Sequence, residues 1–322
     1  VAGLSENALV ERIAARTRRR AGVRVGIGDD AAVLDDDPPT VLTQDLLVED
    51  VHFRLRGEPD ELRDLGHRAL AVNLSDLAAM GAAPVCALVG LGLPGGRTGD
   101  LDLDALYDGM EALAEATGCT LAGGDTTRAP ALTLAVTAVG RMPEGVAPCR
   151  RSGARPGDVL AVTGPLGASA AGLLISEDPV LGTGVPEAGA LRAAHRRPEP
   201  RLAEGERLAR APAHALMDLS DGLGLDGLRM ARASGVSATV ELERVPLAAG
   251  VGRVAAAAGR EADVLAATGG EDYELLAALP EELARELGLH VVGSLAAGPP
   301  GLRLTRGGRE VPVASLGWEH GA

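Results

Sequence analysis

Asp30, Asp45, Asp76, Asp125, Asp218 and Asp221 each fall at a glycine turn or at the end of an expected element. A set of carboxylates with no grouped His or Cys supplies oxygen ligands only, which suits Mg²⁺ rather than zinc or a redox metal. Several Mg²⁺ ions held this way can clamp a polyphosphate and neutralise the charge that develops in phosphoryl transfer. Asp76 is the most informative of the six. At roughly 100° per residue, Leu62, Leu65, Ala69, Val72, Asp76 and Met80 share one narrow helical arc, and Asp76 stands where a leucine is expected. A carboxylate on an apolar face is unfavourable unless a hydrogen bond, a counter-charge or a metal compensates it. The competing reading turns Asp76 to solvent at the helix end, capping the turn before Gly81.

The other candidates carry weaker individual signals. Asp218 and Asp221 are three residues apart, so in the first turn of a helix they would share a face, where they repel unless a cation lies between them. Asp30 closes Gly26-Ile27-Gly28-Asp29-Asp30, in which one of two adjacent aspartates faces inward; a solvated turn is the commoner origin of such a stretch. Asp45 follows the strand Val41-Leu42-Thr43 through Gln44 and is expected at the strand end. His52 is either a substrate contact or an ordinary, partly buried histidine. In Gly123-Gly124-Asp125-Thr126-Thr127-Arg128 the glycines let backbone N–H groups approach an anion while Asp125 and the hydroxyls face the same place. Arg150-Arg151-Ser152-Gly153 offers guanidinium forks for bidentate phosphate contact, or is a solvated charge run.

The elements that position these residues read as two α/β units, for which 322 residues are sufficient. Hydrophobic residues make up 46% of the chain and aromatics 1%, so the core is built from Ala, Val and Leu. No apolar run reaches the length of a membrane span, and a soluble protein is expected. Residues 1–20 read as an amphipathic helix capped by Ser5, running through Leu9 and Ile13 to three arginines, with no signal-peptide pattern; a cytoplasmic location is the expectation. Cys86, Cys119 and Cys149 form no C-x-x-C pair, which argues against a disulfide framework and a zinc site. A net charge of −14 opposes nucleic-acid binding. The chain has no lysine, which excludes a Walker lysine, a Schiff-base lysine and a protein-kinase β3 lysine. Phosphates must then be neutralised by metal ions and arginine.

Further along the chain, strands are expected over 87–93, 119–122, 132–137, 159–163 and 238–242. Helices are expected over 102–117, 201–210 and 247–258. Residues 177–189 read as a mobile surface loop, and the segment 143–157, rich in Pro, Gly and Arg, marks a boundary between domains 1–145 and 146–322. Gly269-Gly270-Glu271-Asp272-Tyr273-Glu274 leads into the apolar stretch 275–279, and Gly307-Gly308 joins two short strands as a hairpin. The similar spacing of Ser75-Asp76 to Asp125 and of Ser220-Asp221 to Glu271 is a faint internal echo whose flanks do not match, and coincidence explains it better than duplication.

In this order, Gly28-Asp29-Asp30, Asn73-Leu74-Ser75-Asp76-Leu77-Ala78-Ala79-Met80-Gly81, Gly123-Gly124-Asp125-Thr126-Thr127, Arg151-Ser152-Gly153, Asp218-Leu219-Ser220-Asp221-Gly222 and Gly269-Gly270-Glu271-Asp272-Tyr273-Glu274-Leu275 resemble the thiamine-monophosphate kinase family, in the superfamily shared with aminoimidazole ribonucleotide synthetase. The resemblance covers nearly the whole chain. It implies a two-domain α/β (α+β) fold, a homodimer joined through its N-terminal sheets, and the conversion of ATP and thiamine monophosphate to ADP and thiamine diphosphate. It implies Mg²⁺ ligands at Asp30, Thr43, Gln44, Asp45, Asp76, Asp125, Asp218 and Asp221, although Gln44 departs from the hydroxyl residue expected beside Asp45. It further implies ATP contacts at Gly124, Asp125, Arg151 and Ser220, a substrate site lined by His52, Glu271 and Trp318, and catalysis through Asp76, Asp125, Arg151 and Asp218. A phosphate nucleophile is already anionic, so in-line transfer needs no general base, and catalysis rests on positioning and charge neutralisation. A sister ATP-dependent ligase and a noncatalytic Mg-nucleotide sensor are the rival readings. A selenophosphate or hydrogenase-maturation activity is disfavoured, because no Cys lies in the N-terminal glycine segment.

Overall fold

The computed structural model describes residues 10, 13–16, 21–96 and 98–318. The expected cap at Ser5 and the basic end at Arg18 to Arg20 lie outside the described residues, while 13–16 are helical. The first half of the chain forms a six-stranded sheet ordered β1-β2-β3-β6-β4-β5, from β1 (Val23–Val25), β2 (Ala32–Leu34), β3 (Thr40–Val48), β4 (Ala83–Pro94), β5 (Thr120–Ala129) and β6 (Thr133–Arg141). Only β4 and β5 pair in parallel, because helix α2 (Leu103–Thr117) supplies the crossover between them. Helix α1 (Glu61–Met80) packs beside α2.

The second half forms a seven-stranded sheet ordered β13-β12-β9-β11-β7-β10-β8. Its strands are β7 (Val159–Val162), β8 (Ala215–Asp218), β9 (Ser237–Glu241), β10 (Leu275–Leu279), β11 (His290–Ala296), β12 (Gly301–Arg306) and β13 (Arg309–Glu310). Helices α3 (Ala168–Glu177), α4 (Ala188–Arg196), α5 (Leu202–Arg210), α6 (Leu223–Ser234), α7 (Val251–Ala257), α8 (Ala262–Thr268) and α9 (Glu281–Glu286) accompany it. Among the described residues no helix is long and apolar enough to cross a membrane.

Helix α1 connects the two halves. Leu70, Leu74, Leu77 and Met80 sit in a core with Val33, Leu134 and Met142 of the first half. Ala78 and Ala79 enter a different core, with Leu208, Leu216 and Leu275 of the second half. The expected single apolar stripe is therefore too narrow: the helix is buried on most of its circumference because it is covered from both sides. Each fully buried leucine contributes about 2 kcal/mol. The close approach needs glycine at Gly66, where a β-carbon would strike the Leu106 carbonyl of α2, and at Gly205 of α5, where it would strike the Ala78 carbonyl. Gly81 ends the helix in the left-handed conformation, donating its N–H to the Ala78 carbonyl.

Several local expectations change. Asp45 lies inside β3 rather than at its end, since the strand continues to Val48 against β6. The expected strand 119–122 extends to Ala129, so the Gly123-to-Arg128 stretch is part of edge strand β5 and not a loop. Asp218 ends β8 and Asp221 lies in the following turn; α6 begins only at Leu223, so the two do not share a helical turn. The helix expected over 247–258 begins at Val251. Residues 177–189 contain the 3-10 turn Pro179–Gly182, and Glu177 is ion-paired with Arg54 and Arg56. The Gly307-Gly308 hairpin forms as expected between β12 and β13, and all three cysteines are free thiols.

Asp272 shows how the second half holds its glycine loop. Its carboxylate accepts the N–H groups of Gly167 (2.7 Å) and Ser169 (3.2 Å) at the start of α3. Burial pushes its pKa up to about 7 from 3.8; the backbone hydrogen bonds oppose the shift and Glu274 adds to it. The folded state then binds a proton that the unfolded chain has lost, so this contribution to stability is full below about pH 4 and disappears as pH rises through about 7. Asp272→Asn is expected to gain on the native protein progressively from pH 5 to 8 in urea melts. A pH-independent difference between the two would contradict the assignment.

Candidate active site

A cavity of about 630 Å³ opens between the two halves. One face of α1 forms a wall, with Glu61, Asp64, Leu65, Arg68, Val72 and Asp76 all lining it at three- and four-residue intervals. Facing residues come from β3, the loop after it, the ends of α3 and α4, and the segments after β8 and before β10.

The carboxylates gather at one end. Asp30, Asp76 and Asp218 each offer an oxygen, and these atoms lie within 4.8 Å of one another. The Thr43 hydroxyl donates to Asp76, the Ser75 hydroxyl donates to Asp218 (2.6 Å), and Asp45 is hydrogen-bonded to Asp76. The Asn73 side chain orients β3 by accepting the Asp45 N–H (3.1 Å). Burial raises the pKa of Asp76 well above the ordinary carboxylate range, with the charges of Asp45, Asp218 and Asp30 adding to it. Asp218 is raised well above that range for the same two reasons, and burial lifts Asp45 to about 6. Asp30 is raised by burial despite its bond to Arg151 Nη2 (2.6 Å), and its Oδ2 is buried with no partner among the described residues. Clustered carboxylates, an orphaned carboxylate oxygen and oxygen-only donors fit a hard divalent cation.

The remaining expected site residues divide. Ser220, His52, Glu271, Trp318 and Asp221 line the cavity. Arg151 reaches the acidic end instead through its contacts with Asp29 and Asp30. His52 Nδ1 accepts the Val48 N–H (3.1 Å), which sets its ring at the turn after β3. Trp318 is 59% exposed at the cavity edge and donates its backbone N–H to Asp221 (3.0 Å). Asp221 is ion-paired with Arg229, and Arg229 also binds the fully buried Asp226, so the Asp221 carboxylate is held by α6 rather than by the cluster.

Gln44 lies on the opposite face of β3 from Thr43 and Asp45, exposed and accepting from the Thr137 hydroxyl (3.2 Å). Strand alternation thus removes it from the cluster. Asp125 is exposed on β5, where it accepts the N–H of Thr126 (2.8 Å), and does not line the cavity. At Gly124 a β-carbon would strike the Val89 carbonyl of β4.

Sequence reasoning missed Arg68 and His195. Arg68, 5% exposed, is ion-paired with Glu271, and His195 Nδ1 lies 3.2 Å from the other Glu271 oxygen. Burial alone would raise the Glu271 pKa, but Arg68 and His195 hold it at about 2, so the carboxylate is ionised. The available signal was the spacing of Arg68, Val72 and Asp76, which places a cation two turns before the carboxylate on one helical face. Glu271 itself has a left-handed backbone (φ 57°), held by its N–H bond to the Ser220 carbonyl (2.7 Å).

Residues 28–142 match the family model of the AIR synthase related protein N-terminal domain, and residues 155–295 that of its C-terminal domain. The chain is 38% identical over 283 residues to the thiamine-monophosphate kinase of Bacillus subtilis, spanning 87% of this chain and 85% of that one. It is 37% identical over 327 residues to the thiamine-monophosphate kinase of Salmonella typhimurium, spanning 98% of each. The solved structure of AaThiL complexed with AMPPCP and TMP superposes with a TM-score of 0.84 at 32% identity, covering 98% of this chain and 97% of that one.

Proposed function

The chain belongs to the thiamine-monophosphate kinase family, and from that premise we propose that it transfers the γ-phosphoryl group of ATP to thiamine monophosphate, giving thiamine diphosphate and ADP. The observation that carries this reading is the gathering of Asp30, Asp76 and Asp218 at one end of a cavity that is also lined by Glu271 and by the rings of His52, Phe53 and Trp318. Asp30, Asp76 and Asp218, with Asp45 and Thr43 beside them, would hold Mg²⁺, which when bound neutralises polyphosphate charge.

The chain's own residues act by positioning. Thr43 and Ser75 orient the Asp76 and Asp218 carboxylates, and Arg151 fixes Asp30. The substrate phosphate is anionic and attacks in line without a general base. Arg151, bonded to Asp30 at the acidic end, and Ser220 would contact the nucleotide phosphates, and His52, Glu271 and Trp318, which line the cavity, would contact the thiamine moiety. Gly124 and Asp125 lie outside this cavity and are assigned no step.

A homodimer belongs to the same reading. Leu46 and Leu88 project from the face of the first sheet away from the cluster, as register with Ala135 and Thr137 requires, and are 49% and 45% exposed. An apolar patch on that sheet face supports burial against a second copy. Light scattering is expected to give twice the 32.6 kDa chain mass; a monomer at working concentration would refute it.

The catalytic reading is tested by incubating the protein with MgATP and either thiamine monophosphate or free thiamine, then separating the products. Thiamine diphosphate and ADP in equal amounts are expected from the monophosphate. Absence of product with ATP still bound would favour a nucleotide sensor or a sister ligase.

A further inference from the structure

We propose that His195 determines substrate specificity by accepting, at Nε2, a hydrogen bond from the exocyclic amino group of the aminopyrimidine ring. The inference rests on the thiamine-monophosphate reading above. His195 lies near the end of α4, its side chain 12% exposed, and it lines the cavity. Its Nδ1 is 3.0 Å from the Ser169 hydroxyl and 3.2 Å from Glu271 Oε2. An ionised carboxylate only accepts hydrogen bonds, so the shared proton sits on Nδ1. In the neutral ring Nε2 is then a lone-pair acceptor, and it has no partner among the described residues. A ligand filling the cavity would cut this acceptor off from water, which is unfavourable unless the ligand supplies an N–H in its place.

The position along the cavity fits the substrate. Asp76 marks the end where the reacting phosphate must sit. Arg68, eight residues earlier on the same face of α1, lies about 12 Å away by helical rise. Arg68 binds Glu271 and Glu271 binds His195, so these three mark the distal end. Extended thiamine monophosphate spans roughly 10 Å from phosphorus to the pyrimidine ring by standard bond lengths. With its phosphate at the carboxylates, the thiazolium passes Val72 and the aminopyrimidine arrives at His195. The amino group donates to Nε2. A 4-oxo group at the same place would set one acceptor against another.

The test compares thiamine monophosphate with its 4-oxo analogue under identical MgATP conditions. The native protein is expected to prefer the amino compound in kcat/KM on the order of 100-fold, the cost of one buried unpaired acceptor. His195→Asn keeps a short amide beside Glu271 but removes the Nε2 acceptor. It should raise KM for thiamine monophosphate and reduce the preference to about fivefold or less, with KM for ATP as the internal control. Two results would overturn the proposal: no discrimination by the native protein, which needs no variant to be folded, or a variant that loses activity on both compounds in the same proportion. Lack of any turnover of thiamine monophosphate by the native protein would instead overturn the catalytic reading itself.

Discussion

Asp218→Asn is expected to abolish turnover and at the same time make the metal-free protein more stable. Asp218 is 4% exposed and shares its site with Asp30 and Asp76, whose oxygens lie within 4.8 Å. Three carboxylates this close repel, and the pKa of Asp218 is raised well above the ordinary range by burial and by its neighbours. The amide keeps an oxygen to accept from the Ser75 hydroxyl but removes the charge. Chelated protein should therefore gain about 1–2 kcal/mol in denaturant melts. The same charge is needed to bind a hard cation, so kcat should fall on the order of 10³-fold or more. Added Mg²⁺ should raise the melting temperature of the native protein and have little effect on the variant. If the variant kept both turnover and the Mg²⁺-induced rise, the carboxylate cluster would not be the metal site.

Arg68→Met carries the second large effect, with the opposite sign for stability. The Arg68 guanidinium is buried and pairs with Glu271, whose low pKa depends on it. Methionine fills much of the volume but leaves a carboxylate without its cation. Breaking a buried pair from one side costs about 3–5 kcal/mol, and the lower end is expected here because the Glu271 side chain is 32% exposed and keeps His195 at 3.2 Å. The double variant Arg68→Met with Glu271→Gln removes both charges and should recover most of that loss, since the amide needs no counter-ion. Thiamine-monophosphate affinity should stay poor in the double variant, because the donor and acceptor pattern at the distal end is gone. Equal instability of the single and double variants would show that Arg68 contributes packing rather than charge.

Much of this architecture is legible in the sequence, because helical and strand periodicity are local. Spacing alone places Asp76 on the buried arc of α1, sets Leu103, Leu106, Met110 and Leu113 of α2 at core intervals, of which the last three are buried and Leu103 only partly so, and locates the Gly307-Gly308 hairpin. The absence of lysine and of grouped His or Cys directs attention to oxygen ligands and arginine. Motif order identifies the family, since an ordered set over the whole chain is far more specific than any one piece. Local pattern misleads wherever a strand runs further than its apolar residues suggest. Asp45 is internal to β3, and the Gly123-to-Arg128 stretch continues as edge strand β5. There Gly124 lies against the carbonyl of Val89, which leaves no room for a side chain.

Candidate ligands separate for a related reason. Once the chain is extended, Gln44 must face away from Thr43 and Asp45, and Asp221 is taken by Arg229 on the helix that follows it. Element types, oxygen-donor chemistry and family follow from local pattern and motif order. Packing between the two halves settles which carboxylates meet. It also decides that Arg68 and Glu271, 203 residues apart, close the far end of the same cavity. Side-chain periodicity specifies the face a residue occupies on its own element, whereas a buried charge is compensated by whatever packing brings to it from the rest of the chain.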